Sequence, residues 1–148
     1  MKRFRFALHG LEKVRQARVD EARLRLARSE GTKRAEEERI MSLEQEIAAT
    51  AADSKRDGVL DMNALLEEDR YIDDLRRRRG EALERLETWI AAVEADRQRL
   101  RLARKEQKAL ERLRERRYLE FVREVMRDET QTIDEAAGKA DWRARQAA

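Results

Sequence analysis

The sequence predicts an all-α protein, two long helices in an antiparallel coiled-coil hairpin, and three observations carry that prediction. The 148 residues contain no proline, 45% of them are charged, and Leu, Ile, Val and Ala recur at helical spacing. Composition of this kind is too charged to close a globular core and belongs to long helices packed in a narrow bundle. High charge also marks unfolded chains, but regular apolar recurrence without proline argues for helix. The whole of 1–148 therefore reads as a single coiled-coil domain.

The first helix is expected over about 4–55, because good helix formers dominate every window from Phe4 to Lys55. Val19, Ala22, Leu26, Ile40, Leu43 and Ile47 share one register, while Phe4, Ala7, Leu11 and Val14 fit an offset one. Between Arg28 and Arg39 the stripe thins, since Ser29, Lys33 and Glu36 take its positions. Gly31 adds a propensity cost of about 1 kcal/mol, so this stretch is expected to be the softest. The strongest break is Asp53-Ser54-Lys55-Arg56-Asp57-Gly58, where small polar residues compete for backbone hydrogen bonds and Gly58 suits a left-handed turn at about 56–60.

A second helix is expected over about 61–138, capped by Asp61 or Asn63, with a frayed tail at 139–148. Its stripe is clearer: Leu65, Ile72, Leu75, Ala82, Leu86, Trp89, Val93, Leu100, Ala103 and Leu110 alternate at a and d positions, interrupted by Glu68, Arg79, Asp96 and Gln107. A stripe sustained over several heptads requires a facing helix. After Leu110 the register slips to Leu113, Tyr118, Phe121, Val125 and Met126, and is expected to resume at Ile133 and Ala136. A short connection makes the two helices antiparallel. Because so thin a seam barely offsets chain entropy, larger partners or a homodimer are expected to complete the fold.

The residues also exclude several chemistries. There is no cysteine, which removes disulfides and thiolate sites. The lone His9 has no companion ligand, so no metal or other cofactor is expected. Carboxylates such as Glu36-Glu37-Glu38 fall on helix faces without a desolvated cleft, and phosphate-cradling glycine loops are absent, so no catalytic residue is assigned and the chain is read as no enzyme. The opening residues lack the apolar run of a secretory signal, and no run is long enough to span a bilayer, which predicts a cytoplasmic protein meeting the membrane only through partners. Arg97, Arg101, Lys105, Lys108, Arg112 and Arg116 recur at helical spacing, but Glu106, Glu111 and Glu115 lie among them and no aromatic residues interleave for base stacking. No nucleic acid is expected; a basic helical nucleic-acid binder stands as the alternative from another class.

Ordered short motifs point to a family. They are Phe4-x-Phe6-x-Leu8-x-x-Leu11, Val19-Asp20-Glu21-Ala22, Ala35-Glu36-Glu37, Tyr71-Ile72-x-x-Leu75, Lys105-Glu106-x-Lys108-Ala109-Leu110-Glu111-x-Leu113, Arg116-Arg117 and Ile133-Asp134-Glu135-Ala136. In order and spacing the chain resembles the FliJ family, coiled-coil proteins of the bacterial flagellar type III export apparatus. The resemblance implies a fold similar to the central stalk subunit of rotary ATPases and a role in flagellum biogenesis, hence motility and chemotaxis. It implies three partners: the hexameric flagellar export ATPase, the cytoplasmic domain of the transmembrane export gate protein, and export chaperones. It also implies a location in the cytoplasm, peripheral to the inner membrane at the flagellar base. By the same resemblance Arg3, Phe4, Leu8, Leu11, Tyr118, Phe121 and Val125 would meet the ATPase ring, and Leu43, Tyr71 and Leu75 the gate. The chain departs from the family where tyrosines are frequent in the first helix, having Gln45 and Ala49 there. The stalk protein of virulence-type injectisomes is a rival resemblance, against which the Ile133-Asp134-Glu135-Ala136 ending favours the flagellar branch.

Overall fold

A computed structural model describes residues 3–53 and 61–147. They form two α-helices, α1 at His9–Asp53 and α2 at Met62–Ala147, with no strand among the described residues. The helices pack against each other antiparallel and so supply the facing helix that the stripe requires. The expected turn at 56–60 about Gly58 lies outside the described residues. The contacts group the chain into two compact units, one of Val19–Leu102 and one of Met1–Arg18 with Ala103–Ala148.

In the Val19–Leu102 unit, seam residues alternate at spacings of three and four without a break. On α1, Val19, Ser29 and Ile40 are buried and Ala22, Leu26, Lys33, Glu36, Leu43 and Ile47 half-buried. On α2, Ile72, Leu75, Ala82, Val93, Asp96 and Leu100 are buried and Leu65, Glu68, Arg79, Leu86 and Trp89 half-buried. The α2 stripe thus packs as read, its polar interruptions included. Flanking pairs fix the direction: Glu30 with Arg97, Glu36 with Arg85 and Glu44 with Arg79 at 3.4, 3.2 and 2.9 Å, so that numbering rises on one helix as it falls on the other. Asp61 caps α2, its carboxylate accepting the Asn63 N–H at 3.1 Å and its carbonyl the Leu65 N–H at 3.0 Å.

The expected soft stretch is continuous helix. Ser29 is 4% exposed and donates its hydroxyl to the Leu26 carbonyl at 3.0 Å, so the position is filled by a small side chain that satisfies itself within its own helix. Gly31 is exposed, and a Cβ there would meet nothing within 4 Å. Gly31→Ala is therefore expected to stabilise the protein by about 1 kcal/mol through helix propensity alone, measurable as a higher urea midpoint at unchanged m-value.

In the other unit three sequence expectations are corrected. First, α1 begins at His9, not Phe4: the His9 N–H bonds the Phe6 carbonyl at 3.2 Å, and residues 3–6 are non-helical. The cause is aromatic, because the Phe4 ring lies 5.4 Å from Tyr118 and 5.6 Å from Phe121 and holds the segment against α2. Second, the offset register of Ala7, Leu11 and Val14 is not a buried stripe. Leu11 and Val14 are 37% and 47% exposed, whereas Glu12 and Arg15 turn inward, the unbroken continuation of the register that begins at Val19. Third, α2 runs through Gly138 to Ala147, beyond the expected end at 138. The 136–147 stretch is rich in alanine and carries the Arg145–Asp141 pair at 2.8 Å, enough to offset one glycine. The stripe does not resume as a buried seam, since Ile133 is 67% exposed.

Candidate interaction surfaces

The Met1–Arg18 and Ala103–Ala148 unit holds the residues expected at an ATPase ring. Phe4 meets Tyr118 edge-on, with planes at 79°, and meets Phe121 tilted at 50°. Arg3, Phe4 and Leu8 share with Phe121 a groove of about 560 Å³ that also takes in Leu113, Arg117, Glu120 and Glu124. Its lining carries both signs of charge, Arg3 and Arg5 from the N-terminal segment and Arg117, Glu120 and Glu124 from α2. Leu11 stands apart, exposed on α1, and Val125 is half-buried one turn beyond Phe121.

The side chains turned toward the seam here are mostly polar. Glu12 accepts from Arg114 at 3.3 Å and from His9 Nδ1 at 3.1 Å; Arg15 donates to Glu106, and Gln107 to Gln16. Apolar periodicity alone does not register Glu12, Arg15 and Glu106. Stepping the heptad back from Val19 by fours and threes would have found the first two. Past Phe121, α2 leaves large apolar side chains in the open, with Met126 62%, Ile133 67% and Trp142 60% exposed.

The Val19–Leu102 unit holds the residues expected at the gate, and they differ in access. Leu75 is 1% exposed and belongs to the core, so it is no surface contact in this fold; Leu43 is half-buried beneath the flanking ion pairs. Tyr71 is the accessible one, 43% exposed, with its hydroxyl donating to Glu46 across the helices. That bond raises the phenol above its ordinary value, with desolvation and the Glu46 charge adding in the same direction. Spectrophotometric titration of the two tyrosines is expected to show one ionising late, and Glu46→Gln to bring it back toward the ordinary value. Asp74 shifts the other way, held down chiefly by its bond from Arg77 at 2.6 Å. Its stabilising effect is present above the unfolded carboxylate range and is lost as pH falls through the folded value.

A polar layer crosses this seam. Ser29 and Asp96 are 4% and 6% exposed, and the next residues along the two helices, Glu30 and Arg97, pair at 3.4 Å, which sets Ser29 and Asp96 at one level. Arg99 donates to the Asp96 carboxylate at 2.6 Å. Two turns along α1, Glu36 accepts from Arg85, yet its Oε2 is buried without a hydrogen-bond partner among the described residues. Such groups weaken a seam and favour one register, because sliding would bury them against apolar neighbours.

Among the described residues no three His, Cys, Asp or Glu cluster at metal-binding geometry, and no helix is long and apolar enough to cross a membrane. A family model described as flagellar FliJ protein matches residues 4–146. The chain belongs to the FliJ family. It is accordingly a component of the flagellar export apparatus, serving flagellum biogenesis and protein export, and the family is non-enzymatic. No curated protein and no solved structure matches the chain at a significant level.

Proposed function

We propose that this FliJ-family chain is the cytoplasmic adaptor that joins the hexameric flagellar export ATPase to the cytoplasmic domain of the membrane export gate and handles export chaperones. The observation that carries the reading is the unequal pairing of the two helices in the Met1–Arg18 and Ala103–Ala148 unit. Residues 3–8 reach α2 as far as Phe121, after which Ile133 and Trp142 stand exposed on uninterrupted helix. Large apolar side chains left exposed where α1 no longer faces α2 suit a groove or ring supplied by another protein. Phe4, Tyr118, Phe121 and Val125, with Arg3, Leu8 and Leu11, would meet the ATPase. At the gate the accessible Tyr71 would act, with Leu43 and Leu75 shaping the helix pair beneath it.

The test is a deletion strain complemented with variants. Loss of filament-protein export from cells with an intact basal body is the expected result, and normal export would refute the proposal. Phe4→Ala should weaken complementation at least severalfold, since it frees the N-terminal segment from its ring contacts, whereas Leu24→Ala, at an exposed position of the other unit, should complement fully.

A further inference from the structure

The arginine-rich part of α2 resolves into two kinds of residue. Arg97 and Arg101 are tied to Glu30 and Glu94 at 3.4 and 3.1 Å. Lys105, Lys108, Arg112, Arg116, Arg123 and Arg127 are all exposed, and none has an ion-pair partner among the described residues. At about 100° per residue these six fall within an arc of roughly 100° running some 33 Å along the helix. The arc also takes in Ala109, Leu119 and Met126 and contains no carboxylate. Leu119 and Met126 are 54% and 62% exposed. Glu120 and Glu115 lie just outside its two edges, and Glu120 is occupied by Arg117 at 3.1 Å. Leu110, in the seam with α1, projects from the opposite side.

We propose that this arc is a docking face for an anionic lipid surface. A plane of negative headgroups meets every residue on one arc of a straight helix at once, which a shaped pocket does not. Unpaired Lys and Arg close to such a surface attract it additively, within a Debye length. Leu119 and Met126, set among the cations, reach the boundary between headgroups and acyl chains, as on helices that lie in the membrane plane. Against a nucleic acid they would have no role, and the arc has no aromatic ring on which a base could stack. The chain therefore carries its own membrane affinity in addition to what partners supply, a property independent of the adaptor reading.

Co-flotation of the full-length chain with vesicles tests it. Vesicles of phosphatidylcholine with about one-third phosphatidylglycerol should retain the protein roughly tenfold or more over phosphatidylcholine alone, with release as salt is raised. The double reversal Arg112→Glu with Arg116→Glu should abolish retention with helicity unchanged by circular dichroism. Leu119→Ser with Met126→Ser should reduce it severalfold, while Arg25→Glu with Arg70→Glu, outside the arc, should leave it intact. Equal loss in that control pair would reduce the effect to net charge and overturn the proposal. No retention on anionic vesicles, or tighter binding to a DNA duplex or to an acidic protein than to the vesicles at the same salt, would overturn it as well.

Discussion

Leu75→Ala is expected to destabilise the protein by about 2–5 kcal/mol, the range for deleting a buried leucine where neighbours collapse only partly. Leu75 is 1% exposed, at the centre of the best-packed stretch of the Val19–Leu102 unit, between Ile72 at 9% and Ala82 at 0%. Domains are stable by only about 5–15 kcal/mol, so the loss should be plain in urea unfolding as a fall in midpoint without a change in m-value. The same substitution at Leu83, which is 39% exposed, should cost far less. Similar costs at both positions would mean that the helices do not meet along the seam described.

Val19→Asp should be more damaging still above neutral pH. Val19 is 0% exposed, and an aspartate there would place a carboxylate in the seam one turn from Arg15, whose guanidinium already serves Glu106. An uncompensated buried charge costs about 3–5 kcal/mol. Burial raises the folded pKa above the unfolded one, so the penalty is fully present above the folded value and shrinks as pH falls and the carboxyl takes up a proton. Thermal unfolding of the variant between pH 4 and 8 should therefore show its deficit relative to the natural protein narrowing toward acid. A deficit that does not vary with pH would place the side chain in water.

The sequence made the pairing legible because every heptad of α2 from Leu65 to Leu110 carries at least one apolar seam residue, and a periodic stripe has one physical explanation, a facing helix. It made the polar parts legible less well. Ser29, Glu36 and Asp96 hold seam positions through hydrogen bonds and flanking guanidinium groups that apolar periodicity does not register. Glu12 and Arg15 were displaced by the more apolar Leu11 and Val14 on the neighbouring face. The start of α1 was misplaced because residues 4–8 have ordinary helix propensity, and the tertiary contacts of Phe4 with Tyr118 and Phe121 override it. Gly138 suggested an end to α2, but a glycine costs a helix only about 1 kcal/mol against Ala, and alanines surround it. Of the site residues, Phe4, Tyr118 and Phe121 lie in one aromatic cluster and Leu75 lies in the core, a difference in exposure that family resemblance, which ranks residues by position, does not register.

The adaptor role is tested most directly by mixing the purified chain with its cognate export ATPase and following ring assembly and ATP hydrolysis together. The chain is expected to bind, promote rings and raise hydrolysis severalfold, and Phe4→Ala or Phe121→Ala to lower the gain without altering helicity. Absence of binding with hydrolysis unchanged, at chain concentrations well above that of the ATPase, would contradict that role.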